Sequence, residues 1–282
     1  MTNKASTRCN FVSRWAYNLD PSDKAPGDED GKFLVVLTCT IDPSSGWAPP
    51  ARSNPAARLA DYAHALSQWL QLQDARLGNL LLIENSASSL EALERVVRKA
   101  APRRKRVEFI SLDCNHYPEG VHYGYAELAM LEAGIACSEL ARNARYIVKA
   151  SGRLFFPTLP NLLDSLPGDF RFAVDARTPW RWWRGQQSFV ASQLMIFSMD
   201  FWQSRMAGSK SRMGSGISHL EDLVFRICSC ERGDPGAILR WKVSCEPVGQ
   251  AAHWDKDYGS VAERSKQLIR ALTRRVAPFL WI

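Results

Sequence analysis

Apolar residues come along this chain in short runs that alternate with helical stripes. FLVVLTCT (33–40) is short, apolar and rich in β-branched residues, and predicts a buried strand. NLLLIEN (79–85), VEFISLD (107–113) and RYIVKA (145–150) predict three more. Between the first two, Leu59, Tyr62, Ala63, Leu66 and Leu70 recur at helical spacing within 55–73. Leu90, Leu93, Val96 and Val97 share one face of 88–100, where Ser88 and Glu91 make a candidate capping box. A long helix is predicted over 123–143. The second half is less regular: a short helix at 161–166, strands at 170–176 and 188–198, a helix at 218–230, a short strand at 243–248 and a final basic amphipathic helix at 260–276.

Strands alternating with helices mean a mostly parallel sheet covered by helices on its faces. Residues 32–153 therefore read as a Rossmann-type, nucleotide-binding half and 154–258 as a second half of the same α/β unit. No Pro/Gly-rich linker divides them, so one compact domain is expected. Residues 1–31 end in the turn-rich DPSDKAPGDEDG and read as a polar arm. Residues 259–282 form the basic C-terminal helix.

Composition changes this picture little. The 282 residues are 46% hydrophobic and 23% charged, which excludes a disordered or fibrous chain. The net charge of +7 suits an anionic partner without choosing among nucleotide, nucleic acid and membrane surface. The apolar runs are too short to span a bilayer, and the first residues lack the apolar core of a signal peptide. Seven scattered cysteines fit no zinc spacing and read as reduced thiols of a cytoplasmic protein.

In open parallel sheets, ligands bind at the carboxyl ends of the strands. The residues there are Thr38, Thr40 and Asp42 with Arg58 at the next helix start, then Glu84, Asn85 and Ser86, then Asp113 to His116, then Lys149 to Arg153. Their recurrence points to a site. No G-x-G-x-x-G follows the first strand, and no G-x-x-x-x-G-K-[ST], G-x-S-x-G or H-E-x-x-H occurs, so the common dinucleotide, P-loop, hydrolase-elbow and zinc readings lack support.

The succession TCTID, Arg58, ENS, LDCN, HYGYAELAMLEAGIACSELARNARYIVKASGR, SQLMIFSMDFW and SHLEDLVFRI resembles glycosyltransferases of the GT-A fold. It is most similar to bacterial enzymes that build capsule or O-antigen polysaccharide, over roughly residues 33–250. The resemblance implies a nucleotide-sugar donor and a glycan or lipid-linked oligosaccharide acceptor. Thr38, Thr40, Asp42, Arg58, Asn85 and Ser86 would surround the base and ribose. Many relatives carry Asp-x-Asp after the fourth strand to hold a divalent metal, whereas this chain has Ser151-Gly152-Arg153. Too few oxygen ligands remain for a hard cation there, so no cofactor and no divalent metal is expected. Lys149 and Arg153 would instead receive the charge of the leaving phosphate, or Lys149 points away and Arg153 is a solvated surface residue.

Glu221 and Asp222 match the acidic pair that supplies the base in inverting enzymes, with Asp222 as base and Glu221 as substitute; in the first turn of a helix they would equally favour the dipole. His219 is either a cap or an acceptor contact. His122 contacts the donor or caps the helix it precedes. TPWRWWRG (178–185) is an acceptor-side loop or a packed strand, and RKAAPRRKR (98–106) is a solvated helix end or an anion-binding run. The C-terminal helix with APFLWI rests on an anionic membrane at the inner face of the cell or docks on the domain. A basic nucleic-acid-binding protein and a nucleotidyltransferase are the competing readings. The first lacks the usual motifs, and the second lacks a glycine-rich phosphate loop and clear metal-binding acids.

Overall fold

The computed structural model describes residues 9–18, 32–46, 50–100, 105–178, 188–214, 217, 219–251 and 256–277. Its centre is four parallel strands, β2 (Phe33–Cys39), β3 (Asn79–Glu84), β4 (Arg106–Asp113) and β5 (Tyr146–Ser151). They lie in the spatial order β4-β3-β2-β5, with β2 in the middle. These strands are buried on both faces, which is why they read as unbroken apolar runs. The helices α1 (Pro55–Gln71), α2 (Glu91–Ala100) and α3 (Gly124–Cys137) make the crossovers.

The core has two layers, one on each face of the sheet. Val35, Leu37, Leu82 and Val148 meet Leu66, Trp69 and Leu93 of α1 and α2. Leu34, Val36, Leu81 and Ile147 meet Leu128, Leu131 and Ile135 of α3. The long helix predicted over 123–143 breaks at Ser138. The Ser138 hydroxyl accepts from Ala141 N–H and starts the short α4 (Glu139–Arg142). The Glu108 carboxylate on β4 accepts from Ser138 Oγ at 2.6 Å and from the N–H groups of Glu139 and Leu140, and the chain turns around it. The capping box at Ser88 does not form. Ser88 N–H goes to the Glu84 carboxylate instead, and the helix starts at Glu91.

The sheet has eight strands rather than the four central ones alone, and the additions are mostly antiparallel. The residues read as a polar arm contain β1 (Asn10–Asn18), which pairs antiparallel with β4 through a bulge between Phe11 and Ser13. The segment DPSDKAPGDEDG lies outside the described residues apart from its surroundings at 32 onward. Beyond β5 comes a tight return, β6 (Leu154–Phe155), then α5 (Leu159–Asp164). The strand predicted over 170–176 is two short pieces, β7 (Phe172–Ala173) and β8 (Ala176–Arg177). That over 188–198 is likewise split into β9 (Phe189–Val190) and β10 (Leu194–Ser198). β10 pairs antiparallel with β5 and with β7. After it come α6 (Met199–Phe201), α7 (Leu220–Ser229), β11 (Ala237–Ile238), β12 (Val248–Gly249) and α8 (Val261–Val276). β11 closes the sheet beside β7, and β12 pairs with β6. The molecule is thus one α/β domain with a mixed, mostly parallel sheet at its heart. All seven cysteines are free thiols.

α8 is held by buried charge. Arg274, 2% exposed, lies 2.6 Å from the fully buried Asp175, and Arg177 reaches the same Asp175 oxygen at 2.8 Å. Burial works to raise the Asp175 carboxyl. The charges of Arg177 and Arg274 outweigh it and hold the group below its ordinary value. Asp175→Asn leaves a buried guanidinium unpaired and is expected to cost about 3–5 kcal/mol by chemical denaturation. Because the folded carboxyl is the stronger acid, its contribution is complete above an unfolded value of about 3.9 and fades as pH falls through the folded one. The stability difference between native chain and Asp175→Asn should therefore shrink in that acid window and stay flat above it.

Candidate functional site

The carboxyl ends of β2, β3 and β5 surround a cavity of about 260 Å³. Two loops at its edge are built on one buried carboxylate, Glu84 at the end of β3. It accepts from the N–H groups of Ile41, Ser86 and Ser88. Burial raises its carboxyl above the ordinary range, and the bonds from Ser86 partly offset this. Thr40 Oγ1 donates to Asn85 Oδ1 at 2.7 Å, and Asp42 N–H donates to Ser86 Oγ at 3.0 Å. The loops after β2 and β3 are therefore a single rigid rim.

Arg58 and Tyr62, one turn apart on α1, brace that rim from below. Arg58 donates to Thr40 O at 2.7 Å, to Arg52 O at 3.1 Å and to the Tyr62 hydroxyl at 3.3 Å. The Tyr62 hydroxyl in turn accepts from Thr40 N–H at 2.9 Å. Arg58 lines the cavity, but these bonds spend it on the loop, so it is a brace rather than a group offered to a nucleotide.

After β5 the chain turns at Ser151-Gly152-Arg153. Gly152 N–H donates to Thr38 O at 2.9 Å, and a Cβ at Gly152 would sit 2.7 Å from that same oxygen, so only glycine fits. The turn lays Arg153 over the Tyr62 ring, 5.7 Å from its centroid. Arg153 is 8% exposed and lines the cavity, and its Nε and Nη1 have no hydrogen-bond partner among the described residues. The alternative of a solvated surface residue is excluded by this burial. A guanidinium in a cavity wall, with no carboxylate paired to it among the described residues, suits an anion.

Lys149 is placed differently from the expectation. It shares the face of β5 that carries Ile147 toward α3. There its ammonium lies 2.6 Å from Glu127 Oε1 and donates to Ser192 O at 2.6 Å. Lys149 does not line the cavity, and its charge is matched by Glu127, so it supports the floor and does not meet a leaving phosphate. Glu127 does line the cavity and also accepts from Thr38 Oγ1 at 3.1 Å.

The acidic pair is resolved by helix geometry. Glu221 lines the cavity and accepts from Ser192 Oγ at 2.6 Å. Asp222, one residue on, does not line it, and its carboxylate lies 3.6 Å from His219 Nδ1. Tyr123 lines the cavity as well. Burial, and then the negative charges of Glu221 and Glu127, push its phenol far up, so it remains a proton donor. His122 does not line the cavity either. Its Nδ1 accepts from Gly124 N–H at 3.2 Å, and its ring packs at a tilt against those of Tyr123 and His219, so it caps and packs the start of α3. Asp42 caps the turn that follows it, accepting from Ser44 N–H, and the Ser44 hydroxyl and then this N–H lower its carboxyl. Asp42 and Ser86 belong to the rim and not to the cavity wall.

The far wall takes Asn115 from the loop after β4, as expected, and adds residues outside the expected set, including Tyr117, Ser192, Gln193, Gln250 and Tyr258. Ser192 and Gln193 precede β10. Because β10 runs antiparallel to β5, its beginning falls at the same sheet edge as the end of β5, and Ser151 N–H donates to Gln193 O at 2.9 Å. The segments TPWRWWRG after Thr178, the middle of RKAAPRRKR and residues 278–282 lie outside the described residues.

The donor set around the cavity does not suit a divalent metal. Its carboxylates, Glu127 and Glu221, are engaged by Lys149, Thr38 and Ser192. No group of three or more His, Cys, Asp or Glu able to hold a metal ion occurs among the described residues.

No family model matches the chain, and no curated protein matches it. Among solved structures it is similar to the mannosyltransferase Ktr4p from S. cerevisiae, with a TM-score of 0.39 and 10% identity over 69% of this chain. The same enzyme in complex with GDP gives a TM-score of 0.38 and 10% identity over 66% of this chain. The chain spans less than two thirds of that enzyme, 63% and 61% in the two structures. A likeness this distant carries no argument about activity, and the chemistry rests on the cavity itself.

Proposed function

We propose that this chain is a glycosyltransferase of the GT-A type that moves a sugar, hexosyl or pentosyl, from a nucleotide donor to a hydroxyl of a bacterial surface glycan or lipid-linked oligosaccharide. The observation that carries this reading is the Arg153 guanidinium, packed over Tyr62 in the wall of a cavity that also presents Glu221. The nucleotide lies along the rim formed by Thr38, Thr40 and Asn85, and its diphosphate meets Arg153. The acceptor oxygen attacks the anomeric carbon and gives its proton to Glu221 as the bond to the leaving phosphate breaks. The electron pair of that bond leaves with the nucleoside diphosphate, where Arg153 receives the negative charge. This is a single, inverting displacement, and it takes its charge compensation from Arg153 in place of a metal. Glu221 replaces Asp222 as the base because it alone of the pair faces the cavity. The work is placed in the cytoplasm, where nucleotide sugars would reach the site.

A thermal-shift screen against UDP-, GDP-, CMP- and dTDP-sugars tests the reading, with single-stranded DNA and RNA as competitors. Stabilisation by one nucleotide sugar, undisturbed by nucleic acid, is the expected result. Stabilisation by nucleic acid alone would replace the reading with a nucleic-acid-binding one.

A further inference from the structure

α8 docks on the domain with the wrong side for a helix of a soluble protein. Its contacts to the body are polar: Glu263 pairs with Lys256, Gln267 donates to Pro247 O and Tyr258 O, Arg270 meets Glu246, and Arg274 enters the Asp175 cluster. Residues 263, 267, 270 and 274 fall on one side of the helix at 3.6 residues per turn. The opposite side carries Val261, Leu268, Ile269, Leu272 and Val276, which are 61–83% exposed. They fill an arc of about 100°, the width of a stripe that normally faces a core. Five large apolar side chains aligned and solvent-facing on one helix mark a surface with a partner.

The charge around the stripe selects the partner. Arg264 and Arg275 are exposed along one flank, and the exposed Lys266 lies beyond the other. Glu263 is the one acid of α8, and it is turned inward between Lys256 and Lys266. A second copy of the chain, docked through this stripe, would set cation against cation in either helix direction, with no carboxylate to offset them. An anionic lipid surface accepts both features together: the stripe enters the acyl boundary, and the flanking cations meet the headgroups. The helix is 16 residues long, and no helix among the described residues is long and apolar enough to cross a membrane. We infer that α8 is a membrane-surface anchor that lies in the plane of an anionic bilayer on its outward stripe, while its polar side holds the enzyme body. This does not rest on the glycosyltransferase reading, and its test needs no activity.

The full chain is to be sedimented with vesicles of phosphatidylcholine alone and with vesicles containing about 30% phosphatidylglycerol. The expected result is binding to the anionic vesicles that falls at least about tenfold in Leu268→Glu/Leu272→Glu. Arg264→Ala/Arg275→Ala should weaken binding to anionic vesicles and leave the low binding to neutral ones as it is. Both pairs are exposed, and an unchanged melting temperature checks that the fold is intact. The inference is overturned if the native chain ignores anionic vesicles at low salt, or if Leu268→Glu/Leu272→Glu binds as tightly as the native chain. It is equally overturned if sedimentation velocity shows a dimer that the same leucine variant disperses while vesicles bind neither protein.

Discussion

Replacing Arg153 by alanine is expected to lower turnover about 10²–10³-fold, about 3–4 kcal/mol of transition-state stabilisation, with the fold retained. The leaving diphosphate gains charge as the sugar departs, and the Arg153 guanidinium in the cavity wall is the cation placed to take it. A low-dielectric setting makes that interaction stronger than the same contact in water. The loss should exceed whatever loss excess EDTA causes in the native enzyme. Arg153→Lys should recover only part, since an ammonium cannot reproduce two parallel donors. Steady-state rates of nucleotide release for the three proteins decide it. Activity abolished by EDTA and restored by Mg²⁺ or Mn²⁺ would contradict this arrangement of charge.

Glu221→Gln is expected to cut turnover by about 10²-fold or more while nucleotide binding is kept. The amide oxygen of glutamine can still accept from Ser192 Oγ, so the cavity wall stays in place and only the proton acceptor is lost. Asp222→Asn should keep most of its activity, because that carboxylate lies by His219 outside the cavity. Equal losses in the two variants, or a loss confined to Asp222→Asn, would move the base away from Glu221. The readout is turnover at saturating donor, with donor affinity measured separately.

How much of this was legible from residues alone depended on burial. FLVVL and NLLLI could be read as strands because both faces of β2 and β3 are packed, which leaves no polar position to confuse the pattern. β1 was not legible. It is an edge strand with Phe11, Val12 and Trp15 exposed, so its hydrophobic and polar positions do not alternate in step with burial. Thr38, Thr40, Asn85 and Arg153 followed from the rule that ligands meet the carboxyl ends of parallel strands. Ser192 and Gln193 escaped the same rule because β10 is antiparallel and delivers its beginning to that edge.

Lys149 and Asp222 show a finer limit. One residue along a strand reverses the face, so Lys149 turns to α3 while its neighbours Val148 and Ala150 face the other layer. One residue along a helix rotates the side chain by about 100°, so of two adjacent acids only Glu221 meets the cavity. Neither rotation can be fixed until the neighbouring element is placed. Arg58 looked like a ligand-facing cation for a related reason. Its carbonyl partners, Thr40 O and Arg52 O, are main-chain atoms whose positions no residue pattern encodes.

The most direct measurement is calorimetric titration of UDP, GDP, CDP and dTDP into the native chain and into Arg153→Ala, both in excess EDTA. The account predicts that at least one nucleotide binds the native chain without metal, and that Arg153→Ala weakens it by about tenfold or more, the loss of a charge-assisted hydrogen bond. Binding by none of the four, or an affinity that Arg153→Ala leaves unchanged, would contradict it.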